Sequence, residues 1–95
     1  RAGELRILGG SNESSGSDSL AAQEQHYNTA RGLHQIGLQH LAVPLYERCL
    51  SLSKENETRQ STDLRREAAH NLALIYKASG ADALARNVLR EHATV

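Results

Sequence analysis

The chain has 95 residues, enough for one small domain, and a chain of this size buries only about 60–65% of its unfolded surface, so its core is marginal. Eleven basic and eleven acidic residues cancel; this argues against a nucleic-acid module, which needs a basic excess, and against a polybasic membrane-surface segment. The lone cysteine, Cys49, rules out an internal disulfide and a cysteine-rich zinc site, and points to a reducing intracellular compartment.

No apolar run approaches the roughly 20 residues of a membrane span. The opening residue, Arg1, reads as the start of a fragment of a longer chain. Phe, Trp and Met are absent, and a Leu- and Ala-rich composition favours closely packed helices over strands.

In chain order, residues 1–22 read as a flexible linker with the tail of a preceding helix. Glu4-Leu5-Arg6-Ile7-Leu8 is a short apolar run closed by Gly9-Gly10, and a serine-rich stretch from Ser11 to Ser19 has nothing to bury. A helical period opens near Ala22, with Tyr27, Ala30, Leu33 and Ile36 broadly on one face and Gly37 ending it. The next stripe, Leu38, Leu41, Ala42, Leu45, Tyr46, Cys49, Leu50 and Leu52, marks an amphipathic helix. Pro44 predicts a bend in it or a late start.

These two helices form a pair over 23–53. A polar loop insertion at 54–62 follows, and Thr62 or Asp63 is the expected cap of the third helix. That helix carries Leu64, Ala68, Leu72, Ile75, Tyr76 and Ala78 and stops at Gly80. The fourth carries Leu84, Ala85, Val88 and Leu89, and the pair over 63–95 reads as a C-terminal cap. No strand is expected.

The two pairs repeat one another. Asn28 to Gly37 to Ala42 to Tyr46 has the same spacings, nine, five and four, as Asn71 to Gly80 to Ala85 to Leu89. Ala30 and Ala73 let paired helices approach, and Gly37 and Gly80 permit the tight turns. Ala42 and Ala85 sit at the closest crossings, with Tyr46, Tyr76 and Leu89 filling the space alongside. The pattern resembles the tetratricopeptide repeat, whose period is about 34 residues. Here the two glycines lie 43 apart, the surplus being absorbed by the polar loop. The resemblance implies an all-α helix-hairpin array, two repeats of an α-solenoid. It departs from that pattern at Thr29, where Leu is usual, and at His26 and Ala69, where Trp is usual.

Two longer blocks carry a closer likeness: Tyr27 to Glu47, containing His34-Gln35-Ile36-Gly37-Leu38, and Asp63 to Gly80, opening Asp63-Leu64-Arg65-Arg66-Glu67. They resemble the C-terminal end of the tetratricopeptide subunit of transcription factor IIIC. The resemblance implies a nuclear, non-enzymatic scaffold contributing to assembly of the RNA polymerase III initiation machinery. Its implied partners are neighbouring subunits of that factor and the initiation factor TFIIIB. The alternative, from another class, is a free-standing cytosolic peptide receptor of the co-chaperone kind. Tyr27 and His70 stand where that class needs lysines.

The expected partner-binding groove lies on the inner faces of the first and third helices. It presents Tyr27, Asn28, Arg31 and His34, then His70, Asn71, Leu74 and Lys77. Simple solvent exposure, or stacking on further repeats, accounts for the same pattern, and the sequence leaves both readings standing. Five histidines include no i, i+4 pair, so surface or interface roles outweigh metal binding. Cys49 falls on the buried stripe, as a packed thiol does. The Arg65-Arg66 pair, flanked by Asp63 and Glu67, reads as a solvated helix end. No phosphate loop or hydrolase elbow is recognisable, and no cofactor, metal, small-molecule substrate or direct nucleic-acid contact is expected.

Overall fold

The computed structural model describes residues 15–55 and 58–93, with side chains from Ser19 onward. The Glu4–Leu8 run and residues 11–14 of the serine-rich stretch lie outside the described residues. Among those described, the chain is all-helical: α1 (Ser15–Gln35), α2 (Gln39–Leu52), α3 (Arg59–Ala78) and α4 (Asp82–His92), with a short 3₁₀ turn at Ser53–Glu55 and no strand. Helix α1 packs on α2 and α3 on α4, while α3 also lies against both α1 and α2.

Both hairpins close the same way. Gly37 and Gly80 take φ of 89° and 84°, the left-handed region that a Cβ disfavours. At the first turn, Leu38 N donates to Leu33 O at 2.9 Å and Gly37 N to His34 O at 3.1 Å. At the second, Ala81 N donates to Tyr76 O at 2.8 Å and Gly80 N to Lys77 O at 3.0 Å. This paired six-to-one and five-to-two bonding is the Schellman ending of a helix.

The core is thin and built from small residues. Ala30, Ala42, Ala68 and Ala69 are fully buried, Ala73 and Ala85 nearly so, and Tyr46, Cys49, Leu50 and Leu72 fill the space between them. Alanine contacts at the crossings bring backbones close, and Tyr46, fully buried, supplies the largest side chain there. Tyr76 and Leu89 are only half-buried against this cluster.

The buried stripes are narrower than the sequence implied. Ile36, Leu38, Leu41 and Leu84 are exposed. In α2 the buried positions are Ala42, Tyr46, Cys49 and Leu50, and Leu41, one residue before Ala42, is turned to the flank. Leu84 stands in the same relation to Ala85. Nor does Pro44 delay α2, which begins at Gln39 and runs through it. Its ring displaces a bond to the carbonyl of His40, and both residues are exposed, so water can replace it.

Two helices start earlier than composition suggested. Helix α1 begins at Ser15, inside the serine-rich stretch, because Leu20-Ala21-Ala22-Gln23-Glu24-Gln25 is a run of strong helix formers. Helix α3 begins at Arg59, capped by Thr58 and not by Thr62 or Asp63. Thr58 Oγ1 accepts from Ser61 N at 3.1 Å, and Thr62 Oγ1 donates back to Thr58 O at 3.0 Å. Part of the expected 54–62 loop is therefore helical.

Candidate functional site

The expected groove residues separate into two sets, one tied into the fold and one open. Tyr27 and Arg31 lie one helical turn apart on α1, on the side that meets α3. Tyr27 Oη donates to Glu67 Oε1 at 3.4 Å, and Arg31 Nη1 donates to Asn71 Oδ1 at 3.4 Å. Asn71 Nδ2 donates to Glu67 O at 2.9 Å and reaches Tyr27 Oη at 3.5 Å. Apart from that bond to the Glu67 carbonyl these contacts are long, so the cluster orients side chains more than it binds the helices.

Behind it, His34 Nδ1 sits 3.2 Å from Tyr46 Oη. The His34 ring meets the Tyr46 ring edge-on, with centroids 6.0 Å apart, and Tyr27 is tilted against Tyr46 at 6.1 Å. Burial pushes the Tyr46 phenol above its ordinary range, opposed by nearby Arg31. Burial, with the Glu67 carboxylate beside it, does the same to Tyr27. Both phenols therefore stay neutral hydrogen-bonding groups.

The second set is open. Asn28, His70, Leu74 and Lys77 are exposed, Leu74 at 60%. His70, Leu74 and Lys77 occupy in α3 the positions that Tyr27, Arg31 and His34 occupy in α1. Tyr27 and Arg31 reach the next hairpin, His34 meets Tyr46 of α2, and their counterparts on α3 face outward. Asn71, by contrast, spends its amide within the fold, whereas its counterpart Asn28 is exposed on α1.

Sequence reasoning missed the most buried polar pair. Gln23 and Ser61 are both fully buried. Ser61 Oγ donates to Gln23 Oε1 at 2.8 Å, and Gln23 Nε2 donates to Ser61 O at 3.1 Å. The available signal was register: Gln23 lies four residues before Tyr27 and seven before Ala30, on the packed face. His92, expected at a surface or an interface, is buried within the chain, near Lys54 of the 3₁₀ turn and Arg65 of α3.

Cys49 is not an activated nucleophile. Cys49 is fully buried, and its thiol is pushed up to about 11 by burial, only partly offset by a hydrogen bond with Gln23. Among the described residues no group of three or more His, Cys, Asp or Glu could hold a metal ion, and no helix is long and apolar enough to cross a membrane.

What these features define is an all-helical pair of hairpins whose polar side chains hold helices together or face outward. The relatives are more specific. The chain is 42% identical over 76 residues to human "General transcription factor 3C polypeptide 3", covering 77% of this chain and 9% of that protein. It is 41% identical over 68 residues to the Schizosaccharomyces pombe "Transcription factor tau subunit sfc4", covering 61% of this chain and 7% of the relative. To the Saccharomyces cerevisiae "Transcription factor tau 131 kDa subunit" it is 33% identical over 76 residues, covering 80% and 7%. The chain is thus a homologue of one stretch of these transcription-factor subunits, and it spans less than a tenth of their length. No family profile matches it, and no solved structure does.

Proposed function

We propose that this chain is a tetratricopeptide-type α-solenoid segment acting as a non-enzymatic protein–protein scaffold. It is the C-terminal part of a transcription factor IIIC subunit, works in the nucleus, and contributes to assembly of the RNA polymerase III initiation machinery. The observation that carries this reading is the 42% identity over 77% of the chain to a general transcription factor 3C subunit. The matched hairpin endings at Gly37 and Gly80 support the repeat, since stacked hairpins need a constant turn. His70, Leu74 and Lys77 form the edge on which a further helix packs. On α1 the exposed member of the set is Asn28, the counterpart of Asn71.

The test is affinity purification of the tagged protein followed by identification of its companions. Recovery of the other subunits of the factor is the expected result. Recovery of chaperone C-terminal tails without those subunits would refute it in favour of a co-chaperone receptor.

A further inference from the structure

On the side of the molecule away from the Tyr27–Asn71 cluster, a cleft of about 270 Å³ lies between α2 and α4. One wall is Glu47, Leu50 and Lys54; the other is Leu84, Val88 and Glu91. Each wall follows the turn-by-turn spacing of a single helix face, as grooves that accept a partner segment do. Leu72 and Tyr76 of α3 form the floor. The volume falls below the roughly 300–1,000 Å³ of ordinary small-molecule sites, so it suits one bulky anchor side chain.

The polar groups around it face a donor-rich visitor. Glu47 and Glu91 are exposed on opposite walls, against one lysine, Lys54, at the 3₁₀ end. His92 also lines the cleft and is 8% exposed, yet its Nδ1 has no hydrogen-bond partner among the described residues. Its Nε2 lies 3.7 Å from Glu91 Oε1, beyond hydrogen-bond distance, so Nδ1 is an unpaired polar atom in either tautomer. A buried polar atom without a partner is costly, and a visiting group can relieve that cost.

We infer that this cleft docks a peptide segment of another protein carrying one leucine-like anchor flanked by lysine or arginine. The anchor covers Leu50, Leu72 and Val88, and the flanking cations pair with Glu47 and Glu91. The inference rests on the scaffold reading above, and supplies the chemistry of one partner.

The test uses the full chain and two fluorescein-labelled helical peptides. Both carry the same leucine anchor; one has arginine flanks and the other glutamate flanks. Fluorescence anisotropy should show the arginine peptide binding at least about tenfold more tightly, a difference of about 1.4 kcal/mol. Glu91→Lys should abolish that preference, and Leu84→Arg, at a half-exposed position on the wall, should weaken the arginine peptide about tenfold or more. Arg59→Glu, at an exposed position in the first turn of α3 and outside the cleft, should change nothing. Circular dichroism establishes that each variant is folded.

Absence of binding by both peptides, equal affinity for the two, or indifference to both Glu91→Lys and Leu84→Arg would overturn the inference. Peptide binding without recovery of the other subunits would count against the assembly reading alone. The opposite outcome would count against the cleft alone.

Discussion

Replacing Gln23 by alanine removes both of its hydrogen bonds to Ser61 at a site with no access to water. Each bond contributes about 1 kcal/mol, and the abandoned Ser61 hydroxyl and carbonyl add about 1–3 kcal/mol of uncompensated burial. The total is about 3–5 kcal/mol, a large share of the stability of so small a domain. At about 4–8 °C per kcal/mol for a domain of this size, the melting midpoint should fall by roughly 12–40 °C. Far-ultraviolet circular dichroism against temperature and urea measures it.

The decisive readout is a double-mutant cycle with Ser61→Ala. If the pair acts as one unit, the two changes together should cost about 1–2 kcal/mol less than the sum of the single changes. Additivity within about 0.5 kcal/mol would refute the argument that this pair pins α1 to the start of α3.

Gly37→Ala and Gly80→Ala should each destabilise by about 1–2 kcal/mol, because φ is positive at both sites. Gly32→Ala should stabilise by about 0.5–1 kcal/mol, since the added Cβ meets nothing within 4 Å inside α1; opposite signs in thermal melts check the contrast. Cys49 should react with a thiol reagent only as fast as the protein opens, because burial raises its pKa from 9.0 to about 11. As the unfolded thiol ionises first, stability from this group is intact below pH 9 and is lost as pH climbs from 9 towards 11.

His92 runs the other way. Burial lowers its pKa below 6.5, with Arg65 and Lys54 adding to the effect and Glu91 opposing it. The unfolded state therefore takes up the proton first, and stability should decline as pH drops below 6.5. Urea midpoints measured across that range should show the decline, and His92→Gln should flatten it.

The helices were legible because their buried positions are spaced for it: Ala42, Tyr46, Cys49 and Leu50 recur at helical steps, and each hairpin carries its turn glycine. The starts of α1 and α3 were not, because serine, glutamine and threonine read as loop by composition. Here strong helix formers after Leu20 and a Thr58 cap decided otherwise. Exposed leucines were overcalled for a related reason. Leu41 and Leu84 match the period but precede the alanine at each crossing, and the width of a buried stripe depends on how closely a neighbouring helix approaches.

The candidate groove was legible as a helix face but not in its division of labour. Nothing in the residue types separates Asn28 from Asn71; only the position of α3 beside α1 does, by engaging Asn71 and leaving Asn28 exposed. Gln23, Ser61 and His92 were hidden for the same reason, since polar residues buried by tertiary contacts carry no hydrophobic signature.

The shared geometry at Gly37 and Gly80 reaches beyond either bend. Two corners of one handedness send each returning helix out at one setting, so the two hairpins are equivalent pieces despite their different side chains.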